Sequence, residues 1–120
     1  MEIEKGHRPE PLEVVSTAAD GVSVVTVSGE IDHTSVDPLV QALDTGALGT
    51  RPRVVIDMRD VTFMDSSGIN VLLAARLDLA STGGWLRLAG PRDSVMRTLE
   101  IVGVDTLIPC YPSLREALAA

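Results

Sequence analysis

Aromatic residues are almost absent: Phe63, Trp85 and Tyr111 are the only three among 120 residues. The core must therefore be built from Val, Leu, Ile and Ala. Cysteine is limited to Cys110, which excludes an internal disulfide and leaves nothing pointing to secretion. One Cys and two His leave no basis for a zinc site, and the expectation is no metal and no cofactor. Basic residues are few, ten Lys and Arg against seventeen Asp and Glu, for a net charge of −7 with no basic cluster. Nucleic-acid binding rests on neutralising phosphates with Lys and Arg, so that class is disfavoured. Docking on an anionic membrane surface is disfavoured for the same reason. No apolar run approaches the length needed to span a bilayer. The first residues, MEIEKGHRPEP, lack the apolar stretch of a signal peptide. A soluble cytoplasmic protein is the expectation.

What remains is a chain 45% hydrophobic, of a length that suits one domain with one core. Met1–Pro11 is polar, carries two prolines and reads as a flexible lead-in. Leu12–Thr17 and Val22–Ser28 read as strands joined at Asp20-Gly21, a hairpin signal. Val36, Leu39, Val40 and Leu43 recur at helical spacing, with Thr34 and Asp37 as a capping pair. Val54–Asp57 is the next strand and, after a helical crossover, should run parallel to the second. A helix from about Ser67 to Ser81 is apolar around most of its circumference; neighbouring helices covering the surplus is the expectation, with a partner surface as the alternative. Gly83-Gly84 stops it. Trp85–Ala89 reads as a strand, Pro91–Val102 as a helix, Thr106–Cys110 as a short strand, and Ser113 with Glu116 as a capping box opening a helix over Leu114–Ala119. The order ββαβαβαβα predicts an α/β domain with a mixed, mostly parallel five-strand sheet and about four helices.

Ligands and partners of such sheets gather at the carboxyl ends of the strands. Two connections, Gly29–Thr34 and Met58–Gly68, should meet there, bringing together Asp32, His33, Asp65, Ser66 and Ser67. Asp65-Ser66-Ser67-Gly68 opens a helix, and its side chains have two uses. Ser or Asp oxygens accept from the unpaired first N–H groups of a helix. The same helix start tolerates an anion, so a phosphate on one of the serines is accommodated locally. Beside Asp65 and Asp32 its charge would repel, and would block a partner packed tightly there.

Catalysis finds less support. No G-x-S-x-G elbow surrounds Ser66 or Ser67, and His33 is better read as a solvated loop residue than as their base. There is no phosphate-binding glycine loop with its Lys. Asp57, Asp60 and Asp65 suggest the hard-metal ligands of a phospho-aspartate receiver, but the acidic pair after the first strand is missing.

VVIDMRDVTFMDSSGINVLL, with VSGEIDHTSVDPL upstream and GGWLRLAGPRDSVMRTLEIVGVDTLIPCYPSLREAL downstream, resembles the STAS domain of bacterial anti-sigma factor antagonists. The resemblance covers about residues 12–118. It implies that Ser67, the second serine of D-S-S-G, is the phosphoacceptor, with Ser66 at most a minor one. It implies that Asp32, in G-E-I-D, contacts the partner. The partner surface then comprises Asp32, His33, Thr34, Asp65, Ser66, Ser67, Gly68 and Asn70, the last standing where many relatives carry a small residue. The implied partner is an anti-sigma factor that is also a serine kinase of histidine-kinase-like ATPase fold. The resemblance further implies that the unphosphorylated antagonist would sequester it and free a sigma factor, that phosphorylation with ATP and Mg²⁺ would end the complex, and that a PP2C-type phosphatase would reset it. Two other readings stand beside this one: a constitutive STAS-type accessory subunit of a transport or signalling complex, and a small-molecule sensor.

Overall fold

A computed structural model describes residues 11–120; the expected lead-in, apart from Pro11, lies outside the described residues. Strands β1 (Glu13–Ala19) and β2 (Val22–Ile31) form an antiparallel hairpin in which Ala19 faces Val22 and Glu13 faces Ser28. Asp20 and Gly21 turn the chain with φ of 52° and 81°, the left-handed pair that a tight hairpin needs and that Asp-Gly supplies at low cost. Helix α1 (Asp37–Ala42) and a single turn, α2 (Thr45–Leu48), lead to β3 (Arg53–Met64), which pairs parallel with β2. Helix α3 (Ser66–Ser81) crosses to β4 (Trp85–Ala89), and α4 (Asp93–Ile101) with a 3₁₀ turn (Val104–Thr106) crosses to β5 (Cys110–Tyr111). Helix α5 (Leu114–Ala119) ends the chain. The sheet order is β1-β2-β3-β4-β5, with only β1 antiparallel, so the expected mixed, mostly parallel sheet is present.

Every parallel crossover steps the same way along the sheet, and right-handed crossovers that do so stack their helices on one face. Alternation along the strands turns Val25, Val27, Val54, Ile56, Leu86 and Leu88 to that face, under Leu39, Leu72, Leu79, Val95 and Leu99 of the three crossover helices. No aromatic residue enters this core. Helix α5 follows the last strand and is free of the rule. It covers Val22, Val55 and Ala89 on the opposite face with Ala117, flanked by Trp85 and Tyr111. Arg87 fastens it there. Its guanidinium lies 3.8 Å from the Trp85 ring centroid and donates to the carbonyls of Ala117 and Ala120 at 2.9 and 3.0 Å, satisfying the otherwise unpaired end of α5.

Beyond shifts of one or two residues at the ends of β1 and α4, the structure departs from the sequence reading in β2, β3, the start of α1 and β5. β2 runs on to Ile31 and β3 to Met64, through segments expected as loops. Two register shifts make this possible, one between Thr26 and Ser28 and one between Gly29 and Glu30, each absorbing an extra residue of β3. Met58, Val61 and Met64 all point into the core, three residues apart, a spacing that a regular strand does not show. The first bulge is pinned where the buried Asp57 accepts from the Arg59 N–H at 3.2 Å and Arg92 donates to the Arg59 carbonyl at 3.0 Å. Thr34 does not cap α1; Val36 occupies that position without a side-chain bond. The strand expected over Thr106–Cys110 is mostly the 3₁₀ turn and its exit. Burial of both Val104 and Ile108 four residues apart, with the Ile108 N–H on the Val104 carbonyl at 2.8 Å, favours a turn there, and Pro109 has no N–H for a ladder.

Two expectations follow. A Cβ on Gly84 would lie 1.9 Å from the Pro52 carbonyl oxygen, whereas one on Gly103 meets nothing and is disfavoured only by the left-handed backbone there, φ 81° and ψ 12°. Gly84→Ala should cost at least about 2 kcal/mol, by overpacking against backbone, and Gly103→Ala about 1 kcal/mol. Urea denaturation measures both; equal losses would refute the close approach. Burial, helped by Asp105 and Glu100, pushes the Cys110 thiol up to about 11. Its reaction with a disulfide reagent at pH 8 should therefore be roughly tenfold slower than that of free cysteine, since the loss of thiolate outweighs the greater nucleophilicity of the more basic sulfur.

Candidate functional site

The carboxyl ends of β2 and β3 lie side by side and are joined beyond their ladder. The Asp65 N–H donates to the Ile31 carbonyl at 3.1 Å. Asp65 is extended, with φ −102° and ψ −170°, and caps α3: its Oδ1 accepts from the Ser67 N–H at 2.8 Å. Ser66 and Ser67 are the first two helical residues. Neither hydroxyl serves as a cap, because the carboxylate before them does so. Ser66 is exposed and Ser67 half-buried.

Gly68 is buried and offers a partner no side chain. Its part is to let α3 start close to the strand ends: a Cβ there would lie 2.5 Å from Met64 Cγ and 2.8 Å from Ile31 Cγ2. Asn70 is exposed, one turn beyond Ser66 on the same helical stripe.

The other half of the site is the turn after β2. Asp32 Oδ1 accepts from the Thr34 hydroxyl at 2.7 Å and from the Thr34 N–H at 2.9 Å. The Asp32 N–H donates to Ser35 Oγ at 3.1 Å, and that hydroxyl donates to the Glu30 carbonyl at 2.8 Å. The Thr34 hydroxyl and then its N–H, with smaller help from Ser35 and His33, hold the Asp32 carboxyl below its ordinary range. A carboxylate lowered in this way favours the folded turn above its ordinary pKa and gives up that preference as pH falls through the lowered value. His33 links the halves: its Nδ1 is 4.0 Å from Asp65 Oδ2, with the imidazole 79% exposed. At that exposure the pair is weak, and only a protonated His33 makes it an ion pair.

Asp32, His33, Asp65, Ser66 and Ser67 thus gather at one end of the sheet, as the sequence reading expected; Thr34 stands there as the partner of Asp32, and Asn70 one turn along α3. Ser35 and Phe63 were missed. Ser35 is the hub of the β2–α1 turn, and serine in a turn is the one signal for it. Phe63 is 48% exposed at the end of β3, opposite Glu30. An aromatic in an apolar stretch reads as core, and only the bulges turn it outward.

Chemically the site can accept and hold more readily than it can react. His33 approaches Asp65 and hydrogen-bonds to neither serine, so no base is poised on a nucleophile. Asp57 is buried in the β3 bulge, away from the helix start, and no group of three or more His, Cys, Asp or Glu side chains among the described residues is arranged for a metal ion. No helix among them is long and apolar enough to cross a membrane.

Comparison with known proteins supplies the family. The STAS domain profile matches residues 13–117. An anti-sigma F factor antagonist of Paenibacillus polymyxa is 31% identical over 100 residues, covering 82% of this chain and 85% of that protein. The anti-sigma-F factor antagonist RsfB of Mycobacterium tuberculosis is 27% identical over 111 residues, covering 92% and 89% of the two chains. The crystal structure of an anti-sigma factor antagonist from Mycobacterium paratuberculosis superimposes with a TM-score of 0.78 at 34% identity, over 93% of this chain and 95% of that one. These relatives are regulatory antagonists rather than enzymes. A sheet ordered β1 to β5 with three helices on one face, a helix start built from D-S-S-G, and a profile match over nearly every described residue place this protein in the STAS domain family.

Proposed function

We propose that the chain is an anti-sigma factor antagonist controlled by phosphorylation of Ser67. Unphosphorylated, it binds and sequesters an anti-sigma factor through Asp32, His33, Thr34, Asp65, Ser66, Ser67 and Asn70, and a sigma factor is released. The anti-sigma factor is itself a serine kinase of histidine-kinase-like ATPase fold. It transfers the γ-phosphoryl group of ATP, with Mg²⁺, to the Ser67 hydroxyl and so ends the complex. A PP2C-type phosphatase restores the free serine.

One observation carries this reading: Asp65, not a serine, caps α3, so the Ser67 hydroxyl has no structural task at the head of the helix. A phosphate there adds close to two negative charges. The helix dipole tolerates them, so the fold survives. Asp65 and the nearby turn carrying Asp32 add like charge, and a partner packed on this end meets both the bulk and the field. The acidic net charge fits a regulator that acts on transcription through a protein partner and not through DNA. The family relatives named above support the antagonist role.

The test uses wild type, Ser67→Asp and Ser67→Ala as baits in native lysate, with retained proteins identified by mass spectrometry. Wild type and Ser67→Ala should retain an ATPase-fold kinase that Ser67→Asp loses. Retention by all three would mark the chain as a constitutive scaffold. Stability separates the roles of the two neighbours: Asp65→Ala should lose about 1 kcal/mol with its cap, while Ser67→Ala, which removes a hydroxyl with no hydrogen-bond partner among the described residues, should stay within about 0.5 kcal/mol of wild type. A loss at Ser67 matching that at Asp65 would return the serine to a structural role.

A further inference from the structure

α1 and α3 both run away from the functional end, and between them lies a shallow groove of about 340 Å³. Its floor is apolar: Val40 and Leu43 on one wall, Val71 and Ala74 on the other. Its far end carries two carboxylates, Asp44 and Asp78, and neither is paired with a Lys or Arg among the described residues. Val40 is 46% exposed and Ala74 is exposed, so the floor is open to solvent.

The groove is aligned with the switch. Ser67, Val71, Ala74 and Asp78 follow one another at i, i+4, i+7 and i+11, a single stripe along α3. Ser67 stands at the near end and Asp78 about 16 Å further along the axis, at 1.5 Å per residue. A docked segment therefore meets a neutral hydroxyl at one end, small apolar side chains in the middle and unpaired negative charge at the other end.

We propose that this groove receives an amphipathic helix of the anti-sigma factor, laid along it with an apolar ridge on Val40, Val71 and Ala74 and with Lys or Arg over Asp44 and Asp78. The inference rests on the partner-binding reading of the preceding subsection. Helices dock in grooves through anchors at i, i+3 or i+4 and i+7, matching the length of floor available here. Charge complementarity selects the occupant: Asp44, whose carboxylate also caps α2 through the Gly46 N–H at 3.0 Å, and Asp78 have no basic partner among the described residues, so on an acidic protein they repel a second copy of this chain and attract a basic flank. Close packing at the near end also explains how a phosphate on Ser67 evicts a partner whose basic residues lie a whole groove away.

Two substitutions at exposed positions probe this without touching the core. Asp78→Lys reverses the charge at the far end, and Ala74→Trp fills the floor. The anti-sigma kinase recovered with the wild-type bait is purified and titrated against each variant and against Ser67→Asp, at low and high salt, with melting curves as a folding control. The expected result is a Kd raised at least tenfold for both groove variants at unchanged melting temperature. The Asp78→Lys defect should shrink at high salt, where exposed charges are screened. Loss of binding by Ser67→Asp with wild-type affinity for both groove variants would overturn the groove while leaving the switch intact. Full binding by all three would remove the switch itself. A wild-type dimer in sedimentation that Ala74→Trp dissociates would overturn the proposal in favour of a second copy of this chain.

Discussion

Asp65 is the residue on which the functional end depends. Its N–H holds the end of β3 to the Ile31 carbonyl at the end of β2, and its carboxylate caps α3 through the Ser67 N–H. One side chain and one backbone group thus fix the distance between two strand ends and the direction in which the longest helix leaves them. Gly68 makes the arrangement compact, since any Cβ there would strike Met64 and Ile31. The two serines are presented as a by-product of this geometry, and their hydroxyls make none of its hydrogen bonds. A hydroxyl free of structural duty is the condition for a modification that alters binding without altering the fold.

The β3 bulges are the second requirement. They add residues to the strand while keeping Met58, Val61 and Met64 in the core, so the candidate site sits on a buried, paired strand and not on a long connection. Asp57 and Arg92 pin the first of them. A site on such a strand is held more rigidly than one on a loop, which suits a surface recognised by shape. The same bulges turn Phe63 outward beside the turn that Asp32 organises.

Much of this was legible in the sequence because local rules and the global fold agree. The Asp20-Gly21 hairpin, the parallel step from β2 to β3, Gly83-Gly84 after α3 and the Ser113 cap of α5 each follow from one or two residues with a definite conformational preference. The length of β3 was not legible, because its inward residues are spaced by three rather than two. Nor was the Thr34 bond to Asp32, because a threonine three residues before an acid satisfies a capping pattern equally well. In the site, the type and order of residues could be read, but the division of labour between Asp65 and Ser67 could not. Both can cap a helix, and only the geometry says that Asp65 does.

The central claim is that a single phosphate on Ser67 is the difference between a bound and a free antagonist. The most direct measurement takes the purified anti-sigma kinase and this chain, determines the Kd with and without prior phosphorylation by ATP and Mg²⁺, and locates the phosphate by mass spectrometry. The account predicts one phosphate, on Ser67, and an affinity at least a hundredfold weaker. A phosphate on another residue, or a Kd unchanged by modification of Ser67, would contradict it.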